Sequence, residues 1–146
     1  MNDWVLGIQS LCHMENERVF RKKAMLSWIA LIEDPGCIEA HLFQGSCAKD
    51  PELRMQHLQA AIIAGHALWD PVAKAEGEDM TWWGFAATRP YMRAIKALGI
   101  EHLGRGDERA ARECFEALLE MNPNDNQGVR QALEAMDAVA ASTLRI

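Results

Sequence analysis

IKALGIEHLGRGDERAARECFEALLEMNP, residues Ile95 to Pro123, is the stretch that decides the fold. Ile95, Leu98, Gly99 and His102 recur at i, i+3, i+4 and i+7, the spacing that lines one face of an α-helix. Gly104, Gly106 and Asp107 interrupt that pattern, and Asp107 stands where its carboxylate can accept from the free N–H groups of a following helix. Ala111, Phe115 and Leu118 form the apolar stripe of that second helix. Asn122-Pro123 closes it, because proline lacks the donor that another turn would need. The stretch predicts two antiparallel helices joined by a tight turn.

The rest of the chain extends this pattern in both directions. After Pro123, Asn124 or Asp125 can cap a last helix whose stripe is Val129, Ala132, Leu133, Met136 and Val139. Upstream, Thr88-Arg89-Pro90 opens the helix that carries Ile95. Between His66 and Thr88 the periodicity fails. Trp69-Asp70-Pro71 is expected to end or kink the preceding helix, AKAEGEDM (73–80) is polar, and Met80 to Phe85 is the most aromatic stretch of the chain. Residues 69–87 therefore read as an insertion. Before it, one helix is expected over 37–48 with Ile38, Leu42 and Gly45 on one side. Asp50-Pro51-Glu52 starts the next, which carries Leu53, Leu58, Ala61, Ile62 and Gly65. Asn2 or Asp3 can cap a first helix with Trp4, Val5, Ile8, Leu11 and Cys12. A polar break at His13 to Asn16 separates it from a second, Glu17 to Glu33, with Val19, Phe20, Ala24, Trp28, Leu31 and Ile32. Asp34-Pro35-Gly36 ends that helix. Ala24, Trp28, Leu31 and Pro35 echo Ala111, Phe115, Leu118 and Pro123 with one residue missing before the proline, which marks a degenerate copy of the unit.

The Leu98-Gly99, Ala111, Phe115 and Pro123 pattern resembles the tetratricopeptide repeat, W-x2-L-G-x2-Y, then A-x3-F, then P, over about 34 residues. Ile95 stands where that family has Trp, and His102 where it has Tyr. The strings TRPYMRA (88–94) and NPNDNQG (122–128) resemble a bacterial subgroup of such proteins, the likeness running from about Trp82 to Leu133. The resemblance implies an all-α, right-handed solenoid of about three helix pairs with a C-terminal capping helix. Its units would be a degenerate repeat over 1–35, a second over 37–68, the aromatic insertion at 69–87, the best-matching repeat over 88–123 and the cap over 124–143. It also implies a concave groove lined by the first helix of each pair, where such arrays bind extended peptides. It carries no enzymatic activity.

Composition narrows the function further. A net charge of −6 over 146 residues argues against general nucleic-acid binding, which needs clustered positive charge. The four cysteines, Cys12, Cys37, Cys47 and Cys114, lack CxxC spacing and read as reduced thiols of a cytoplasmic protein. The N-terminus has no basic region of a signal peptide, and no apolar run reaches membrane-spanning length. Cys37 and His41 have helical chelating spacing, but no tight second pair completes a zinc set, so no metal and no other cofactor is expected. No phosphate loop, nucleophile elbow, zinc-protease motif or GxGxxG is present, and no catalytic residue is assigned.

The candidate site is instead a peptide-binding face. Arg89, Arg93 and Lys96 are spaced by four and three, away from Ile95 and Gly99, in a segment with no acidic residue. If the last helix stacks one unit along, Asn126, Gln127, Arg130 and Gln131 come to lie beside them. Arginine forks and amide donors suit a carboxylate, so the set would grip an acidic side chain or a C-terminus. The family's carboxylate clamp also uses Lys, Arg and Asn on first helices, and its Asn has no obvious equivalent in the helix that carries Arg93. Trp83, beside Trp82 and Phe85, adds an aromatic contact. The plainer reading is a solvated basic face paired with Asp125 and Glu134, a turn at 122–128 that is structural, and tryptophans that fill core. Two further readings remain open. One is a homodimer formed through Leu133, Met136, Val139 and the tail Leu144–Ile146. The other is an accessory subunit that contacts a larger complex through Trp82 and Trp83.

Overall fold

The computed structural model describes the backbone of residues 3–144 and the side chains of residues 16–144. Among these the chain is all-α, with no strand: α1 (Asp3–Glu33), α2 (Ile38–Cys47), α3 (Pro51–Glu76), α4 (Arg89–Gly104), α5 (Glu108–Met121) and α6 (Val129–Leu144). Single 3-10 turns occupy Gly77–Asp79 and Ala86–Thr88. The stretch that decides the fold behaves as its spacing predicts. Asp107 Oδ1 accepts from Ala110 N at 3.1 Å, and Gly106 takes the left-handed turn at φ 80°. Ala111, Phe115 and Leu118 are buried, as are Ile95 and Gly99 on α4. A Cβ at Gly99 would stand 2.7 Å from the Phe115 ring, so the missing side chain is what lets α4 and α5 close on each other.

The helices pack in chain order. α2 and α3 form one hairpin and α4 and α5 a second, each with extensive contact. α3 packs on α4, α5 on α6 and α1 on α2, while α2 also touches α4. Hairpin closure depends on local capping. Asp50 Oδ1 accepts from Glu52 N at 3.0 Å and Pro51 sits in the first turn of α3, so both open that helix. Between the hairpins, Arg54 Nε lies 2.9 Å from Glu101 Oε2, and Arg105 Nε donates to Glu101 Oε1 at 3.1 Å. Burial alone would raise the Glu101 carboxyl. The hydrogen bonds and charges of Arg105 and Arg54 outweigh it and hold the carboxyl below its ordinary value.

Two sequence expectations need correction. α1 is one continuous helix, not two, so the chain has two hairpins flanked by single helices rather than three pairs and a cap. His13 to Asn16 contains no Gly or Pro, and polarity alone does not break a helix. The first-helix stripe Trp4 to Cys12 lies outside the described side chains. On the rest of α1, Val19, Phe20, Trp28 and Ile32 are exposed rather than core. The proposed insertion also starts too early. α3 continues through Trp69-Asp70-Pro71 to Glu76, because a proline there removes one donor while good helix formers follow it. Gly77, at φ 58°, is the true stop.

In the first hairpin, His41 and His57 meet Nδ1 to Nδ1 at 3.1 Å, and His41 Nε2 lies 2.7 Å from the Pro35 carbonyl. His41 therefore donates through Nε2 to Pro35, and the two facing Nδ1 atoms share one proton, an arrangement that two fully protonated rings cannot make. Burial, and then the neighbouring His41, lower the His57 pKa. A folded-state pKa below the unfolded one means the unfolded chain binds more protons, so stability falls as pH drops through about 6.5 and below. We expect the melting temperature to decrease between pH 7.5 and 5.5, and His57→Gln to flatten that dependence. An unchanged slope in the variant would assign the acid sensitivity elsewhere.

Candidate functional site

α4 carries the predicted basic face, and the structure gives each of its three cations a different partner. Arg93 is exposed and reaches α2, where Nη2 lies 3.0 Å from Glu39 Oε1. Lys96 is half-buried and donates from Nζ to the Gln127 carbonyl at 2.8 Å, which ties α4 to the turn before α6. Arg89 turns the other way. Its Nε donates to the Trp83 carbonyl at 2.9 Å and its guanidinium stands 4.7 Å above the Trp83 ring, a cation–π contact. Arg93 and Lys96 thus lie on the face that joins α2, α4 and the start of α6, while Arg89 fastens the aromatic loop. Glu39 is the residue sequence reasoning missed. It lies 54 residues from Arg93, and no local pattern links the two.

The 122–128 turn does the capping its composition predicts. Asp125, at φ 54°, accepts from Val129 N at 2.8 Å through Oδ1 and from Arg130 N at 3.0 Å through Oδ2. Asn122 is buried and donates from Nδ2 to Asn126 Oδ1 at 3.1 Å. Asn126 and Gln131 are exposed, Gln127 is half-buried, and the Arg130 guanidinium donates to the Pro123 carbonyl at 3.3 Å. The expected pairing with Asp125 and Glu134 is replaced. Asp125 serves the α6 backbone, and Arg93 pairs with Glu39.

Trp82 and Trp83 are both half-buried, between the open aromatic contact and the filled core of the two readings. Trp82 packs on Tyr91 with ring centroids 6.0 Å apart, and Trp83 lies beneath Arg89. Thr88, fully buried, anchors the loop instead of capping α4: its hydroxyl meets the carbonyls of Trp82 and Phe85, the latter at 2.7 Å. Among the described residues the buried tryptophan is Trp69, set edge-on to the exposed Phe85 at 5.8 Å.

A second concavity, of about 360 Å³, runs between α3 and α5 over α4, lined by Ile62, His66, Tyr91, Leu98, Cys114 and Met121 among others. His66 Nδ1 is 3.0 Å from Asp70 Oδ2 and 3.2 Å from the Tyr91 hydroxyl. Both contacts fall on the same ring nitrogen, so the imidazole cannot relay a proton between them. Burial pushes the Cys114 thiol up, with the Glu113 charge adding to it, the reverse of an activated nucleophile. Tyr91 is pushed up to about 12 by burial and by the Asp70 charge. Among the described residues no group of three or more His, Cys, Asp and Glu is placed to hold a metal ion.

No family model, no curated protein and no solved structure matches this chain. Among the described residues no helix is long and apolar enough to cross a membrane.

Proposed function

We propose that the chain is a tetratricopeptide-like array of helical hairpins, acting in the cytoplasm as a non-enzymatic adaptor that binds an acidic, extended peptide. The peptide lies across α2, α4 and the start of α6. The observation that carries this reading is the Arg93–Glu39 pair. It spans from the first helix of one hairpin to the first helix of the next, so a basic side chain and an acidic one already meet where a peptide carboxylate would bind. Both partners are more than half exposed, and such pairs contribute only about 0.2–1 kcal/mol. An incoming carboxylate displaces Glu39 at little cost. Lys96, Gln127 and Arg130 extend the polar surface along the same side, and the contact order of the helices is the one a solenoid requires.

The test is fluorescence anisotropy with a labelled poly-glutamate peptide. Arg93→Glu should weaken binding roughly 10-fold or more, the scale of a lost charge-assisted contact. Glu39→Gln should strengthen binding, since it removes the internal competitor. Affinity should fall from 50 to 300 mM salt, as exposed charges are screened within about 8–10 Å near physiological ionic strength. Binding that ignores both substitutions and salt would sink the reading. It would favour the accessory-subunit alternative, whose supporting observation is the exposed Phe85 next to the half-buried Trp83.

A further inference from the structure

Among the described residues α1 has two apolar faces, and α2 is the helix packed against one of them. Toward α2 it presents Phe20, whose ring stands 5.8 Å from that of Phe43, and buried Ser27, which accepts from Gln44 at 2.6 Å. On the opposite side Met25, Trp28, Ile29 and Ile32 recur at i, i+3, i+4 and i+7, with Leu26 beside them, and these five are 44–80 % exposed. The contrast with the second hairpin is instructive. Phe115 of α5, the counterpart of Trp28 in the echoed pattern, is 1 % exposed because α4 covers it, whereas Trp28 is 56 % exposed. α1 has the outer stripe of a paired helix without its pair.

We propose that this stripe pairs with α1 of a second copy of the chain, antiparallel across a two-fold axis near Trp28 and Ile29. The area fits a small interface: the exposed side chains of these five residues amount to roughly 600 Å² per chain, or ~1,200 Å² in total for two copies, the lower end of stable interfaces. The charges fit as well. Arg18, Arg21 and Lys22 share the outward face before the stripe, and Glu33 and Asp34 follow it. Antiparallel pairing centred on the stripe sets Arg21 and Lys22 of one copy beside Glu33 and Asp34 of the other, twice over. Parallel pairing would instead oppose like charges. An amphipathic membrane helix keeps its basic residues on a polar face opposite the apolar one; here they precede the stripe along the same face. The pairing is closed by its own symmetry. It lies at the end of the molecule opposite α6, so it stands whether or not α4 binds peptides.

The test is light scattering with sedimentation velocity on the full chain. The expected species has twice the 16.4 kDa chain mass. Ile29→Glu with Ile32→Glu changes only exposed side chains, so helical circular dichroism should persist. Each substitution is felt twice across the axis, so the dimer dissociation constant should rise roughly 100-fold or more. Arg21→Glu should weaken the dimer, and adding Glu33→Lys should restore it. A monomer at 100 μM overturns the proposal, as does a dimer indifferent to Ile29→Glu and Ile32→Glu. Open-ended assembly, or a monomer that sediments with anionic phosphatidylserine vesicles, overturns it too.

Discussion

Phe115→Ala should destabilise the fold by about 3–5 kcal/mol, the usual cost of emptying a fully buried aromatic site. Phe115 is 1 % exposed and fills the space that Gly99 leaves open on α4, between Ala111 and Leu118 of its own helix. The neighbouring helix cannot collapse into the hole, because α4 is also held against α3 by the Arg54–Glu101 pair and by Arg105, which reaches Glu52 and the Pro51 carbonyl. A domain is commonly stable by only about 5–15 kcal/mol, so this single truncation removes a large share of the margin. Urea denaturation followed by circular dichroism gives the number directly. A loss under about 1 kcal/mol would mean that the α4–α5 register is wrong.

Gly65→Ala should be the second most damaging small change, although in an isolated helix alanine is favoured over glycine by up to about 1 kcal/mol. A Cβ on Gly65 would collide with the Cδ1 edge of the Tyr91 ring, which would have to leave its packed position. It is 4 % exposed, packed by Trp82 at 6.0 Å and by His66 at 5.6 Å. Overpacking of this kind typically costs about 1–3 kcal/mol. A double-mutant cycle separates the collision from helix propensity. In a Tyr91→Ala background, which has already lost the ring, Gly65→Ala should become neutral or mildly stabilising. Equal effects in both backgrounds would show that the α3–α4 crossing does not depend on this contact.

Much of the fold was legible in the sequence because its signals are local. Asp50, Asp107 and Asp125 cap the helices they precede, and the 3.6-residue stripe of α5 names its three buried residues. The failures have physical causes. His13 to Asn16 looked like a break because it is polar, yet it contains no residue that opposes helix. Pro71 looked like a terminator, yet near the end of a helix it costs one hydrogen bond. Trp28 looked like core because its spacing matches Phe115, and spacing cannot report that the covering helix is missing.

The candidate site was legible as a set of charges but not as a set of partners. Arg93, Lys96, Gln127 and Arg130 were identifiable from helical register. Glu39 and the role of Arg89 were not. An ion pair across two hairpins depends on how the hairpins stack, and a guanidinium over Trp83 depends on the path of an irregular loop. The effect is to divide the basic segment between two tasks. Arg89 holds the aromatic loop, and Arg93 and Lys96 hold the row of first helices.

Amide chemical-shift mapping with a poly-glutamate peptide tests the peptide-binding face most directly. The expected result is a contiguous set of shifts on α2, α4 and the start of α6, centred on Glu39, Arg93, Lys96, Gln127 and Arg130 and abolished by Arg93→Glu. Shifts confined to residues 82–85, or absent altogether at millimolar peptide, would contradict it.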